Sequence, residues 1–304
     1  MGGGTGQATL LRGLKNYTAD LTAVVTVADD GGSSGRLRRE MGIQPPGDIR
    51  NCLVALAEDE SLMGRLFQYR FDEGPLSGHS FGNLFLAALT KVTDDFEEAV
   101  RLSSKILATR GKVLPASLDL VTLRAELDDG RTVEGQSAIA DSNHACRNIF
   151  LEPREARPTG AVLEAIDKAQ IIVIGPGSLF TSIIPNMLIK KIANAVEVAT
   201  CPKVFVCNVM TQPGETLGFS VADHLDALIA HTGPRIVDTI IVNTFEPPSP
   251  IVEFYSAKGS APVIIDSDRL EDMDIKIIFA EVASGGNYFR HDSGKLADAI
   301  MSLL

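Results

Sequence analysis

Short apolar runs recur along the chain, and each is followed by residues rich in Gly, Asp or Asn. The runs are Leu21–Val27, Ile171–Ile174, Val204–Val209, Ile236–Val242, Pro262–Ile265 and Ile275–Phe279. Segments with helical periodicity lie between several of them: Ala8–Leu14, Ile49–Ala57, Asn83–Leu89, Phe96–Leu107, Ala161–Lys168, Ile189–Val198 and Val221–Ala230. Apolar strands that alternate with amphipathic helices are typical of a parallel sheet covered on both faces. The pattern predicts an α/β fold, doubly wound and Rossmann-like, with a mostly parallel sheet.

One stretch departs from this alternation. Val121–Leu127 is followed by the turn Asp128-Asp129-Gly130 and then by Arg131–Ile139. Two β-type segments around an Asp-Gly turn predict a β-hairpin. We therefore expect a single domain over residues 1–304, with an inserted β-hairpin lobe at about 110–157.

Composition narrows the classes of partner. The chain has 304 residues, of which 45% are hydrophobic, a formal net charge of -11 and a pI of about 5.0. Such an acidic chain repels a phosphate backbone, so we expect no nucleic-acid partner, although local amide dipoles can still hold a small phosphate ligand. The four cysteines form no C-x-x-C pair, and no apolar run is long enough to span a membrane. Without a signal peptide, we expect a cytoplasmic protein with free thiols and no membrane insertion.

A Gly-rich loop opens the chain. Gly2–Gly6 precedes the helical segment Gln7–Leu14, and a helix N-terminus offers unpaired N–H groups and a partial positive charge to an anion. Such a loop usually follows a strand, and no apolar run precedes this one. A flexible tail is the alternative interpretation.

A second loop follows the apolar run that ends at Val27. It contains Asp29, Asp30, Ser33 and Ser34 among three glycines. Carboxylates at the end of a parallel strand can bind a ribose hydroxyl or help to hold Mg²⁺. The alternative is an Asx turn with capping serines, but two carboxylates, three glycines and two serines exceed what a turn needs.

Two further polar segments each precede a helix. Asp48 directly precedes the helical segment Ile49–Ala57, and Gly78–Asn83 leads into the apolar helical segment that ends at Leu89. His79 and Ser80 suit an anion at that helix N-terminus. Helix capping explains both segments equally well.

The strongest local signal follows Ile171–Ile174. This buried run leads directly into Gly175-Pro176-Gly177-Ser178 and then into a helix, which is an arrangement that binds phosphate. We expect the strands that end near Val27, Ile174 and Val209 to be parallel neighbours whose carboxyl ends lie at one sheet edge. Asn208, Thr211 and Gln212 follow the last of these strands and should lie at that edge. Later in the chain, a tyrosine, Tyr255, could stack on a base and an arginine, Arg290, could bind a diphosphate.

Other chemistries lack their motifs. The chain contains no Walker loop, no G-x-S-x-G elbow and no histidines at metal-ligand spacing. A dinucleotide oxidoreductase is disfavoured because GGGTG is not G-x-G-x-x-G.

Taken together, the motifs resemble a known family. GGGTG, TVADDGGSSGRLR, PPGDIRN, GHSFGNL, GKVLPAS, GPGSLFTSIIPN and VCNVMTQPGET occur in order and are similar to those of the YvcK family, the bacterial gluconeogenesis factors. That family is similar in fold to CofD, the 2-phospho-L-lactate transferase that uses a nucleotide-linked donor and Mg²⁺. The chain differs from the family at Leu217, where an Asp is usual. The resemblance implies UDP-sugar binding and a need for the protein in cell shape and in growth on gluconeogenic carbon sources, with no established reaction.

Two hypotheses therefore remain open. The first is a nucleotide-sugar-binding regulator without turnover, and the second is a Mg²⁺-dependent transferase that uses a nucleotide-diphosphate-linked donor. We favour the regulator because no activated nucleophile is evident, and we expect a homo-oligomer. The candidate ligand-binding residues are Gly3, Gly4, Thr5, Gly6, Asp29, Asp30, Ser33, Ser34, Asn51, His79, Ser80, Asn83, Gly175, Pro176, Gly177, Ser178, Asn208, Thr211, Gln212, Tyr255 and Arg290. The candidate Mg²⁺ ligands are Asp29, Asp30 and Asp48.

Overall fold

Parallel strands form the centre of the fold. The computed structural model describes residues 1–58, 62–142, 144–286 and 288–304. The strands are β1 (Thr22–Val25), β2 (Lys112–Pro115), β3 (Thr122–Leu127), β4 (Thr132–Glu134), β5 (Cys146–Glu152), β6 (Ile172–Ile174), β7 (Lys203–Val206), β8 (Thr239–Asn243), β9 (Lys276–Ala280), β10 (Ala283–Gly285) and β11 (Phe289–His291). β1 pairs with β2, and β6 to β9 pair in sequence order, all in parallel.

Met1 and Gly2 connect these two groups of strands. Gly2 donates to Val24 O at 3.1 Å and accepts from Thr26 N at 2.9 Å, while Gly175 N donates to Met1 O at 2.9 Å. Across the sheet the order is β2, β1, the Met1-Gly2 segment, β6, β7, β8 and β9. If the Met1-Gly2 segment counts as the first strand and the others follow in chain order, this spatial order is 3-2-1-4-5-6-7. A Rossmann sheet has this order, and its ligands bind where the winding direction reverses. Here that switch point lies between Gly2 and the end of β6.

The helices cover both faces of the sheet. They are α1 (Gly4–Leu14), α2 (Gly32–Met41), α3 (Gly47–Leu56), α4 (Leu62–Gln68), α5 (Phe81–Thr93), α6 (Phe96–Ile106), α7 (Gln136–Ala140), α8 (Gly160–Asp167), α9 (Ile184–Met187), α10 (Lys190–Val198), α11 (Val221–Thr232), α12 (Ser249–Ser256), α13 (Ser267–Glu271) and α14 (Ser293–Met301). A π-helical turn, Leu179–Ile183, precedes α9.

Alternate residues of each parallel strand enter different cores. In β1, Ala23 and Val25 pack with α1, α3 and α6, whereas Val24 joins the core that contains α8 to α11. In β7, Phe205 joins that second core, while its neighbours pack with α1 and α14. Side chains on successive strand residues point to opposite faces, so both faces are buried. The predicted doubly wound α/β fold is confirmed.

The inserted lobe contains a three-stranded antiparallel sheet in the order β4-β3-β5. The structure gives β3 and the Asp-Gly turn as predicted, but the second strand of the hairpin ends at Glu134. Gly135 has a φ of +93°, which breaks the strand, and residues 136–140 form α7 instead. β2 falls within the range 110–157 but pairs with β1, so the antiparallel part begins at Thr122.

Two details of the predicted strands are wrong. Pro262–Ile265 forms no strand; Pro262 and Ile264 make isolated bridges to Met210 and Ser220. We expected the strands that end near Val27, Ile174 and Val209 to be neighbours. β6 and β7 are adjacent, but the Met1-Gly2 segment separates β1 from β6. All three strands still run in the same direction and end at the same edge.

The four cysteines are free, and Cys52, Cys146 and Cys207 are buried. Among the described residues, no helix is both long enough and apolar enough to cross a bilayer.

Candidate functional site

A cleft of about 460 Å³ opens at the switch point of the sheet. Its walls are the loop that starts α1, the loop after β6, the loop after β7, part of α7 and the segment around β11. It is lined by these predicted residues: Gly3, Gly4, Thr5, Gly6, Pro176, Gly177, Ser178, Asn208, Thr211, Gln212, Tyr255 and Arg290. The predicted residues of the loop before α1, the loop after β6 and the loop after β7 therefore lie around one cleft, whereas those of the loop after β1 do not line it.

The first Gly-rich loop leads directly into α1. Gly3 occupies the N-cap position and no side chain caps the helix, while Gly4 has a φ of +62°. Gly6 packs so closely on the second loop that a Cβ there would lie 2.5 Å from Pro176 O. The missing side chain lets two loops and one helix N-terminus meet at one point, where a phosphate can be held.

The second loop, Gly175–Ser178, is held by hydrogen bonds that limit its free amides. Gly175 N donates to Met1 O, Pro176 has no N–H, and Gly177 N donates to Asn208 Oδ1 at 3.3 Å. Asn208 also donates from Nδ2 to Gly177 O at 2.8 Å. The backbone amides of this loop and the start of the π-helical turn that remain for an anion are those of Ser178 and Leu179, because the Phe180 N–H donates to Glu215. Asn208 thus positions the loop.

The loop after β7 is fixed by its own polar side chains. Gln212 donates from Nε2 to Ser178 Oγ at 2.9 Å, and the Thr211 hydroxyl accepts from Ala261 N at 2.9 Å. Glu215 is buried, and its two carboxylate oxygens accept from Phe180 N and Thr181 Oγ1 at 3.1 and 2.9 Å. Burial raises the pKa of Glu215, against the effect of those hydrogen bonds. The carboxylate therefore anchors the π-helical turn to this loop.

Tyr255 and Arg290 lie at the outer part of the cleft. The Tyr255 hydroxyl donates to Phe289 O at 3.3 Å, and its ring packs in a small apolar cluster with Met210 and Phe289. The Arg290 guanidinium lies 4.7 Å from the centre of the Tyr288 ring. Among the described residues that line the cleft, Arg290 is the one Lys or Arg side chain.

Eight of the other predicted residues form a second polar cluster beside the cleft, around the starts of α2, α3 and α5, whereas Gly175 lies in the second loop without lining the cleft. Ser33 Oγ and His79 Nδ1 are 2.9 Å apart, and both side chains are buried. Ser80 caps α5 by accepting from Asn83 N at 3.3 Å, which is the capping alternative. This cluster consists of Asp29, Asp30, Ser33, Ser34, Asn51, His79, Ser80 and Asn83, none of which lines the cleft.

Arg50 was not a candidate, yet it organises this cluster. Its guanidinium donates to Ser80 Oγ and to Asn51 Oδ1. Its positive charge also lowers the pKa of Asp29 and of Asp48, against the larger effect of their burial.

The three acidic candidates separate in the structure. Asp48 lies against the first loop: it accepts from Gly4 N, and a Cβ on Gly3 would lie 2.6 Å from Asp48 Oδ2. Asp29 accepts from Gly31 N at 2.9 Å and from the Ser34 hydroxyl. Asp30 bonds instead to the lobe.

Burial disfavours the ionised forms of Asp29 and Asp48. It raises the pKa of Asp48 to about 7, and the negative charge of Asp29 adds to that effect. Burial also raises the pKa of Asp29. Two buried carboxylates that repel each other ionise more easily when a cation lies nearby.

Comparison with known proteins identifies the family of this chain. The family model of 2-phospho-L-lactate transferase CofD matches residues 1–283. The gluconeogenesis factor of Bacillus subtilis (strain 168) is 49% identical over 305 residues, covering 100% of this chain and 96% of that protein. The chain belongs to the gluconeogenesis-factor family of CofD-like proteins. The gluconeogenesis factor of Listeria monocytogenes is 40% identical and covers 100% of this chain and 94% of its own length.

A solved structure of this family has the same fold. The crystal structure of a UPF0052 family member from Bacillus halodurans superimposes with a TM-score of 0.96 at 47% identity, covering 99% of this chain and 96% of that one. The fold of this chain is therefore the fold of its family.

Several polar residues that line the cleft of this family member were not among the candidates. Thr9, Gln136, Glu215 and His291 all line the cleft. Thr9 lies one helical turn after Thr5, and Glu215 lies within the quoted segment after β7, so both had a signal. Gln136 comes from the lobe and His291 from a late hairpin, and neither adjoins an apolar strand in the sequence.

Proposed function

We propose that the protein binds a nucleotide sugar, specifically a UDP-sugar, in the switch-point cleft and acts as a regulator rather than as a catalyst. One observation carries the proposal: two Gly-containing loops and the N-terminus of α1 converge where a Rossmann-like sheet reverses direction. Helix N-termini and close backbone approach suit a diphosphate. The family resemblance extends the proposal to a cytoplasmic homo-oligomer needed for cell shape and for growth on gluconeogenic carbon sources.

The side chains of the cleft favour binding over turnover. Its titratable groups among the described residues are Glu215, Tyr255, Arg290 and His291. Both oxygens of Glu215 already accept hydrogen bonds, and the Tyr255 hydroxyl donates to the backbone. Nucleophilic catalysis needs an activating base within hydrogen-bond reach of the nucleophile, and these residues offer no such pair.

The direct test is thermal stabilisation by a panel of nucleotides and nucleotide sugars, each with and without Mg²⁺. A ligand at about 100 times its Kd raises the free energy of unfolding by about 2.7 kcal/mol. We expect UDP-sugars to raise Tm by several degrees and unphosphorylated sugars to leave it unchanged. Equal Tm values with all compounds would contradict the proposal.

Asp48 supports a second candidate, a Mg²⁺-dependent transferase. Mg²⁺ in nucleotide sites is usually held by one or two carboxylates together with phosphate oxygens. Asp29 and Asp48 are the candidates for that role, because the charge of Asp29 acts on Asp48 and Asp48 adjoins the first Gly-rich loop. Asp30 does not fit, since Ser137 holds its carboxylate. Mg²⁺ at this place would neutralise charge on a leaving diphosphate.

UDP release separates the two candidates. Protein, Mg²⁺, a UDP-sugar and cell extract are incubated together, and free UDP is measured over time. The regulator predicts binding without release. Steady release that disappears in both Asp29→Asn and Asp48→Asn, but persists in the exposed control Asp272→Asn, would establish the transferase instead.

A further inference from the structure

Within the described part of the chain, three side chains that line the cleft each keep one buried polar atom without a hydrogen-bond partner. These atoms are Gln136 Oε1, Gln212 Oε1 and His291 Nε2. They come from three separate elements: α7 of the lobe, the loop after β7, and β11. Buried polar atoms are nearly always hydrogen-bonded in folded proteins. Three exceptions around one cleft indicate that a ligand completes their hydrogen bonds.

The local chemistry makes all three atoms acceptors. A hydrogen bond to the backbone of Cys207 raises the pKa of His291, so the ring is the donor. Nε2 is the ring nitrogen without a partner among the described residues, so the donor is Nδ1 and Nε2 presents a lone pair. Burial lowers the pKa of His291 to about 4, so the ring is neutral near pH 7. Gln212 donates an amide N–H to Ser178 Oγ, and its carbonyl oxygen remains to accept a hydrogen bond from a ligand. Gln136 contributes a third amide oxygen.

We infer that Gln136, Gln212 and His291 form a subsite for the hydroxyl groups of a neutral glycosyl unit. This inference rests on the proposed function, because it assigns the sugar half of the ligand. Each free sugar hydroxyl can donate one hydrogen bond, so a hexosyl group can satisfy all three acceptors. Uracil has a single imide N–H between two carbonyls, and ribose has two hydroxyls. A phosphate or carboxylate would face three acceptors and is excluded.

The subsite lies next to the anion-binding loops. Gln212 bonds to Ser178, the last residue of the second Gly-containing loop, and His291 bonds to the residue before Asn208, which holds Gly177. A diphosphate at the α1 N-terminus would therefore adjoin the three acceptors. The cleft thus has a donor side for the diphosphate and an acceptor side for the sugar.

The test compares the affinities for UDP, UDP-glucose and UDP-glucuronate by calorimetry. The folded parent protein should bind UDP-glucose about tenfold or more tightly than UDP. Its affinity for UDP-glucuronate should be well below that for UDP-glucose, because a carboxylate replaces a donating hydroxyl group.

Variants of His291 separate positioning from recognition. His291→Asn can keep the hydrogen bond to Cys207 but loses the Nε2 acceptor. It should weaken UDP-glucose binding about five- to tenfold and leave UDP binding unchanged. His291→Gln, whose amide reaches the Nε2 position, should recover part of the loss. Gln136→Leu should reproduce the effect from the lobe, and Gln68→Leu, at an exposed position of α4, is the control.

The outcomes distinguish this inference from the proposed function. If UDP and UDP-glucose both fail to bind the folded parent, the proposed function is wrong. Equal affinities for UDP and UDP-glucose, or an equal loss of both in His291→Asn, would overturn the subsite and leave nucleotide binding intact. Circular dichroism and Tm establish that each variant is folded.

Discussion

Asp30 accepts hydrogen bonds from both the backbone N–H and the hydroxyl of Ser137, at 3.0 and 3.2 Å from the same carboxylate oxygen. This contact joins the loop after β1 to the first turn of α7. Gly135 makes it sterically feasible, since a Cβ there would lie 1.8 Å from Asp30 Oδ2. At its other end, α7 meets Gly214, where a Cβ would lie 2.3 Å from Ala140 O. The lobe is thereby fixed over the cleft.

Asp30→Ala should release α7. The loss of a capping carboxylate costs about 1 kcal/mol of stability, and Gln136 would lose its fixed position at the cleft. We expect a small fall in Tm and weaker binding of UDP-glucose with little change for UDP. Asp30→Asn keeps an acceptor oxygen and should behave like the parent. Equal behaviour of the Ala and Asn variants would contradict the proposed role of Asp30.

Gly177→Val should abolish nucleotide binding. Gly177 has a φ of +156°, and a Cβ would lie 3.3 Å from Gly3 O, so a branched side chain would push the two Gly-containing loops apart. We expect at least about a hundredfold loss of affinity, roughly 3 kcal/mol, with a protein that still folds. Gly218→Val, at a φ of +75° in open space, controls for backbone strain alone. Unchanged affinity in folded Gly177→Val would count against this loop.

Gly6→Ala tests the contact between the loops from the opposite side. The added Cβ would lie 2.5 Å from Pro176 O, a backbone atom that cannot rotate away. Overpacking of this kind costs about 1–3 kcal/mol, and we expect a lower Tm together with weaker UDP binding. Gly160→Ala, where nothing lies within 4 Å, should change neither.

Asp48→Asn should alter the pH dependence of stability. The folded pKa of about 7 lies above the ordinary value of 3.8, so the folded state binds the extra proton. The free energy of unfolding therefore falls as the pH rises from about 4 through about 7, by at most about 1.4 kcal/mol per unit. Asp48→Asn removes this fall. The free energy of unfolding of the variant, relative to that of the parent, should therefore be higher at about pH 8 than at about pH 5.

Urea titrations across this pH range measure the difference. The exposed control Asp272→Asn should show a constant offset. A constant offset for Asp48→Asn as well would mean that Asp48 is ionised throughout.

The sequence predicted the parallel strands because burial on both faces requires continuous apolar runs. It placed Asn208 and Ser178 at one edge because parallel strands end together. It could not place Asp30, whose partner Ser137 lies in the lobe and carries no sequence signal for the contact. The Met1-Gly2 segment was also missed as a strand, since two residues cannot display a period.

The second polar cluster shows another limit. Ser80 and Asp48 both precede helices, and the sequence could not separate capping from ligand binding. Ser80 caps α5, whereas Asp48 reaches the first loop, and only the packing of α3 against α1 distinguishes them.

The central position of Met1 and Gly2 has a consequence for cooperativity. Their backbone hydrogen bonds stitch β1 to β6, and the two Gly-containing loops start immediately beyond that stitch. A ligand that contacts both loops would connect the two halves of the sheet at the two-residue segment that joins them. Binding would then slow hydrogen–deuterium exchange at the amides of Thr26 and Gly175. It would slow exchange much less at the amides of the strands at either edge of the sheet. A ligand in one small cleft would in this way reduce the opening of the whole sheet.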